Sequence, residues 1–443
     1  MSTRLGRGIA RAALLIGAVT VLARIVGFGR YYVFSRTVQT NCLATAYFTA
    51  NQVPNLVFEV VVGGALAGMV VPVLAEAAER ADAEARARVS AIASALLCWV
   101  LVLLVPPAVL VALLAGPLVD LFTLGGVADC DMAPLLAAAA RMLTVFAPQI
   151  PLYGLAVVLY GVLQAHRRFL GPALAPLVSS LVVIATYLIF VPLSAGVRDP
   201  ATVPRPAELA LSLGTTLGVA ALVVTVLGPT GRLGLRLRPT LRFPPGVARR
   251  VRRLAAAGLA ALLAQQLATA VAVWLANTRG GGGDLAAYNY ALAIYQVPYA
   301  VLAVPIATSA FPALAARAER GDRAGFAAMA GQTTRAVILI CGLAAGVLAA
   351  AALPVARVFL AQTATQVTVA EFARAIALFA PGLIGYGLLA HLGRVLYAEG
   401  RGRAVAAGTA AGWLVAAGAQ AALTSAVPDE WALGALGLGS TVG

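Results

Sequence analysis

The chain contains no lysine, two histidines, four cysteines and 17 acidic residues in 443 positions. Two histidines cannot supply a metal-ligand cluster, and no Walker loop or nucleophilic triad in context occurs. Catalytic chemistry is therefore not expected and no cofactor is implied. Any work on a substrate would draw on ion gradients or on substrate flux. Charged residues make up only 11% of the chain against 61% apolar, a balance no soluble globular composition resembles. The composition points to an all-α polytopic membrane protein.

What charge there is has a pattern. All 32 basic residues are arginine, in a sequence also rich in alanine and glycine, and the net charge is +15. Such a surplus could suggest a nucleic-acid partner, but its placement is topological. Apolar runs read as spans at 9–29, 47–75, 89–115, 133–164, 173–195 and 207–228. A second series follows at 254–277, 285–313, 332–354, 372–398 and 404–427, with a stub from Trp431. Arginines concentrate in alternate connections: Arg4, Arg7 and Arg11; Arg80, Arg86 and Arg88; Arg167 and Arg168; eight between Arg232 and Arg253; Arg317, Arg320 and Arg323; Arg401 and Arg403. The positive-inside rule then makes the N-terminus cytoplasmic, in the cell membrane, with gripping of anionic lipid secondary. The first run mimics a signal peptide but lacks a small-x-small cleavage site before Arg24, which predicts an uncleaved helix. Cys98 and Cys341 fall inside spans as packing residues. Cys42 and Cys130 share the predicted outer side, where a disulfide is chemically possible although their spacing shows no framework.

The chain repeats itself. Phe146-Ala147-Pro148, Tyr153-Gly154 and Val162-Leu163-x-Ala165 recur as Phe379-Ala380-Pro381, Tyr386-Gly387 and Val395-Leu396-x-Ala398, all 233 residues on. Gln52-Val53-Pro54 recurs as Gln296-Val297-Pro298, and Pro72-x-Leu74-Ala75 as Pro312-x-Leu314-Ala315. With six spans per copy, both copies enter from the same side, which predicts two parallel six-helix lobes around a central cavity. The expected division is an N-lobe over 1–228, an arginine-rich cytoplasmic linker over 229–253, and a C-lobe over 254–443 whose last helix is cut short or continues in a longer protein.

Ionisable and amide groups inside spans are the candidate site residues, because hydrocarbon tolerates them only beside a partner or a cavity. Arg24 and Arg30 close the first span, about 9 Å apart along the helix. They could snorkel and pair with a carboxylate, or line a cleft and fork onto a phosphate. Glu59 sits near mid-depth in the second span, either neutralising Arg24 or acting as a proton- or cation-sensitive latch. Asn51, Gln52 and Asn55 line a cleft or pack helices, and Gln296 is the repeat partner of Gln52. Arg141 could reach the cleft or surface aspartates. His391 and Arg394 read as local packing, and Gly280 to Gly283 as a flexible linker or hinge.

The run Ala23-Arg24-Ile25-Val26-Gly27-Phe28-Gly29-Arg30, then Ala46-Tyr47-Phe48, Val53-Pro54-Asn55-Leu56, Gly63-Gly64-Ala65 and Val71-Pro72-Val73-Leu74, resembles the MurJ (MviN) family of lipid II flippases, within the MOP superfamily. The resemblance implies transfer of undecaprenyl-pyrophosphate-linked disaccharide-pentapeptide from the inner to the outer leaflet for peptidoglycan synthesis. By position, Arg24 and Arg30 match the family's two first-helix arginines, proposed to meet the pyrophosphate. Tyr31 stands where the family has an acid, Phe58-Glu59 where it has an arginine, and Leu292, Ala293 and Gln296 where it has an Asp-Arg-Glu set, so the chain reads as a divergent branch. The family's thirteenth and fourteenth helices, which form a groove for the lipid tail, have no counterpart here. Implied partners are the lipid-linked precursor, membrane lipids and cell-wall synthesis proteins, with no nucleic acid. Two alternatives stay open: a cation-coupled multidrug or other exporter of the superfamily using Glu59, and a non-transporting scaffold.

Overall fold

The structure, a computed structural model, describes residues 2–60, 70, 71, 73, 74, 82–243, 247, 259–361 and 365–443. Gly63 to Ala65, Pro72, Arg80 and the part of the expected linker holding Arg249 to Arg253 lie outside these. The helices are α1 (Ser2–Thr37), α2 (Cys42–Phe58), α3 (Ala83–Leu113), α4 (Ala115–Phe122), α5 (Met132–Phe146), α6 (Gln149–Ala165), α7 (Leu170–Ser194) and α8 (Arg205–Gly231). There follow α9 (Leu259–Thr278), α10 (Asp284–Pro298), α11 (Val304–Glu319), α12 (Arg323–Ala350), α13 (Ala352–Phe359), α14 (Val369–Phe379), α15 (Gly382–Ala398), α16 (Gly402–Ala426) and α17 (Ala432–Val442). Among the described residues, 10 helical stretches are long and apolar enough to cross a membrane. Each coincides with an expected span. The expected second span is described as helix only through α2 and then in part.

Caps fix where helices begin. Asp82 accepts from the Ala85 amide at 2.6 Å ahead of α3, and Thr368 and Glu371 form a reciprocal capping box on α14. Prolines fix where helices break. Both copies of Phe-Ala-Pro end one helix and start the next, because the proline ring removes a donor and crowds the preceding turn. The helices after the break, α6 and α15, are both 17 residues long, and the next pair, α7 and α16, are both 25. The pair before it differs, α5 having 15 residues and α14 having 11. Four residues make about one turn, so the insertion leaves the packed faces nearly in register. The structure also adds α4 and α13 to the repeat, both 8 residues long and sharing alanine, proline and phenylalanine at first, third and last positions. After Pro54 the ladder resettles as π-helix at Glu59 and Val60, and after Pro298 as π-helix over Tyr299–Ala303.

The chain divides into two compact units. The first holds residues 1–38, 49–119 and 136–259, and the second holds 39–48, 120–135 and 260–443. The division after residue 259 lies close to the expected start of the C-lobe, while two short segments of the N-terminal half, 39–48 and 120–135, belong to the second unit.

In the first unit, α7 packs along α8 on one side and α1 on the other. Gly214 and Gly218 of α8 face Thr186 and Val183 of α7, where a Cβ would collide with both side chains. This Gly-x3-Gly spacing lets the two backbones approach closely, the usual basis of helix association where lipid supplies no hydrophobic drive. Arg198 closes the same corner, its Nε donating to the Thr37 carbonyl at 3.0 Å at the C-terminus of α1.

The second unit carries a tight cluster of connections. Cys42 and Cys130 form a disulfide with a Cα separation of 5.7 Å. Around it the Gln366 amide donates to the Thr40 carbonyl at 2.9 Å, Gly282 to Ala128 at 3.0 Å, and Gly283 to the Thr45 hydroxyl at 2.8 Å. The run Gly280 to Gly283 is therefore a packed seat. Gly283 has φ +94°, and a Cβ there would fall on the backbone of Thr40 and Asn41.

Candidate functional site

The first unit carries six of the seven candidate residues. On α1, Ala23 is buried and Gly27 faces Ser180 of α7, which sets the packed face of the helix. Arg24 lies off that face and is exposed. Among the described residues it has neither a hydrogen bond nor an ion pair. Arg30 is half-buried with its guanidinium 5.3 Å from the centre of the Tyr31 ring. Because α1 continues to Thr37, Arg30 sits about 10 Å short of the helix end, deeper than a residue snorkelling to the surface from a span ending at 29.

On α2, Gln52, Asn55 and Glu59 are all half-buried. Tyr153 of α6 brings this helix a neighbour: its ring lies 4.4 Å from that of Phe58, and its hydroxyl donates to Asn55 at a long 3.5 Å. The buried Asn51 Oδ1 has no hydrogen-bond partner among the described residues. Glu59 falls in the π-helical stretch, a type of ladder defect frequent at functional sites, and makes no ion pair among the described residues. The neutralising Arg24–Glu59 pair that the sequence left open is thus not formed.

Arg141 has a different employment. Its Nε and Nη2 grip the two oxygens of Glu208 on α8 at 2.9 and 2.6 Å, and Arg205 adds a third contact to Glu208 at 2.8 Å. The Glu208 side chain is 3% exposed. A buried carboxylate needs such cations, so in this structure Arg141 is engaged by Glu208 and not by the surface aspartates.

Gln296, the seventh candidate, is exposed on α10 in the second unit. Three residues on, Tyr299 packs at 4.3 Å on Tyr386, which also meets Tyr295 at 6.1 Å and Trp413 at 6.3 Å. The repeat relates this to the first unit: Tyr386 is the copy of Tyr153, and Tyr299 the copy of Asn55. The first unit therefore has an amide at Asn55 and a carboxylate at Glu59 where the second has the ring of Tyr299 and the methyl of Ala303. Tyr295, Tyr386 and Trp413 also border a cavity of about 430 Å³ with Leu389, Leu392 and Leu396. The copies of those leucines in the first unit, Ala156, Leu159 and Leu163, pack against Val223 and Val226 of α8.

Among solved structures, the fold matches an inward-closed lipid II flippase MurJ with a TM-score of 0.77 at 17% identity, over 97% of this chain and 85% of that one. It also matches an inward-facing MATE-family multidrug resistance transporter of the MOP superfamily with a TM-score of 0.74 at 14% identity, over 97% and 95%. In sequence it is 27% identical over 398 residues to a lipid II flippase MurJ of Burkholderia cenocepacia, covering 88% of this chain and 73% of the relative. It is 26% identical over 308 residues to a probable lipid II flippase MurJ of Rhizobium tropici, covering 70% of this chain and 55% of that relative's length. The family model described as lipid II flippase MurJ matches residues 34–442, a stretch that begins after Arg24 and Arg30. On the breadth of that match, the chain belongs to the MurJ family of lipid II flippases.

Proposed function

We propose that this chain carries lipid II from the inner to the outer leaflet of the cytoplasmic membrane by alternating access, without chemical transformation of the lipid. Arg24 and Arg30 hold the pyrophosphate while the polyprenyl tail stays in the bilayer. The observation that carries the reading is Arg24 itself, an exposed guanidinium on a membrane-length helix with no counter-charge among the described residues. A cation at that depth is costly alone, and an oxyanion bound by its fork would relieve the cost. Asn55 and Gln52 supply neutral donors for the sugar and peptide portions. The N-terminus is placed in the cytoplasm, which puts Cys42 and Cys130 on the outer side. Their disulfide supports that orientation, since such bonds persist in oxidising compartments. Cell-wall synthesis proteins are the expected partners for delivery and removal of the precursor.

The test is depletion of the protein in its own cells with leaflet-resolved measurement of lipid-linked precursor. Accumulation in the inner leaflet supports the reading, and an unchanged distribution contradicts it.

A second reading, a cation-coupled exporter, is favoured by one observation: Glu59 is half-buried in a π-helical stretch and makes no ion pair among the described residues. Under it Glu59→Gln abolishes transport and Arg24→Gln does not. Under lipid II flipping the Arg24 change is the damaging one.

A further inference from the structure

The segment after α8 is a strap with a defined seat. Gly234, at φ +66°, turns the chain. The amides of Arg236, Arg238 and Thr240 then donate to Ser90 Oγ at 3.2 Å, Ser94 Oγ at 3.0 Å and Cys98 Sγ at 3.3 Å on α3. The steps match: two residues of extended chain advance about 6.6 Å, and four residues of helix about 6 Å. Trp99 closes the far end, its Nε1 donating to the Leu241 carbonyl at 2.9 Å. Non-helical backbone beside hydrocarbon needs its polar groups satisfied, which accounts for two serines and a cysteine every fourth residue in an otherwise apolar helix.

In an extended chain alternate side chains point to opposite faces. The strap reads Leu235-Arg236-Leu237-Arg238-Pro239-Thr240-Leu241-Arg242, so arginines and leucines separate onto two faces. Arg236, Arg238 and Arg242 are exposed, and no carboxylate pairs with them among the described residues. Leu237 and Leu241 are 45% and 46% exposed. Beyond Trp99, α3 continues with outward-facing Leu101, Val102 and Leu103. Trp99 lies ten residues into the expected span 89–115, so the strap runs inward from the arginine-side end of that span, and tryptophan is enriched where the apolar core meets the headgroups. Cations beside apolar side chains at that level complement a phosphate joined to acyl chains, and neither nucleic acid nor an acidic protein would use the leucines.

We propose that the strap clasped to α3 is a binding edge for anionic phospholipid headgroups in the leaflet on the arginine-rich side, with Arg236, Arg238 and Arg242 as phosphate ligands. Ser90, Ser94 and Cys98 are positioning residues that hold the strap along the arginine-side end of α3. The inference is independent of the transported cargo.

Native mass spectrometry of the full chain in uncharged detergent, titrated with phosphatidylglycerol or phosphatidylcholine and read on the folded, monodisperse fraction, tests it. The unaltered protein should retain phosphatidylglycerol in preference. Replacing all three arginines by glutamine should weaken that binding about a hundredfold, from the usual headgroup contribution of each charge. Replacing them by lysine should keep most of it. Ser90→Ala with Ser94→Ala, which changes no charge, should also weaken it. The proposal is overturned if the glutamine variant binds as the parent does, if the serine variant keeps full affinity, or if undecaprenyl pyrophosphate occupies the edge and phosphatidylglycerol does not compete.

Discussion

A guanidinium at membrane depth needs a partner, and Arg141 and Arg24 solve the problem differently. Arg141 has Glu208, with Arg205 adding a second cation. Because the Arg141 side chain is 38% exposed, Arg141→Gln should lower stability by about 1–3 kcal/mol, seen as a reduced melting temperature in detergent, with flipping retained by the folded protein. Arg24 has no such partner among the described residues. Arg24→Gln should leave melting nearly unchanged and reduce flipping about tenfold to a hundredfold, the range of one charge-assisted phosphate contact, while Arg24→Lys keeps part of it. The sequence made both residues visible as charges inside spans. It could not separate them, because the carboxylate that claims Arg141 lies 67 residues away. Glu208 itself, next to Arg205 at the start of a span, reads as an ordinary first-turn acid until its burial is seen.

Elements were legible where proline or glycine punctuates them. The Phe-Ala-Pro copies locate the same break in both units, and the arginine-bearing connections bound the spans. The α4–α13 copy escaped notice because three shared residues in eight carry little signal without the helix boundaries. Side-chain docking of irregular segments was equally hidden: Cys98 reads as packing, yet it is a hydrogen-bond acceptor for the strap. Two outcomes test the element scale. Gly218→Leu should separate α7 from α8 and cost several kcal/mol, because the added side chain meets Val183 and the Ser179 backbone, and a sharply lower yield of folded protein would register it. Cys42→Ser should lower stability by about 2–5 kcal/mol, since the disulfide closes an 88-residue loop, and treatment with reductant should reproduce the shift in the parent but not in the variant.

At the scale of the whole molecule, two copies of one helical plan carry different chemistry. The first unit offers Arg24, Arg30, Asn55 and Glu59, whereas the second has Tyr299 at the copy of Asn55, Ala303 at the copy of Glu59, and Tyr295, Tyr386 and Trp413 beside an apolar cavity. A charged headgroup and a long apolar tail make demands of the same two kinds. The central claim is that Arg24 is held for the lipid-linked pyrophosphate. It is tested most directly by replacing the native protein in its own cells with the Arg24→Gln variant and measuring, leaflet by leaflet, where the precursor collects. The account predicts precursor trapped in the inner leaflet while the variant remains folded at normal abundance in the membrane. Normal outer-leaflet precursor in those cells would contradict it.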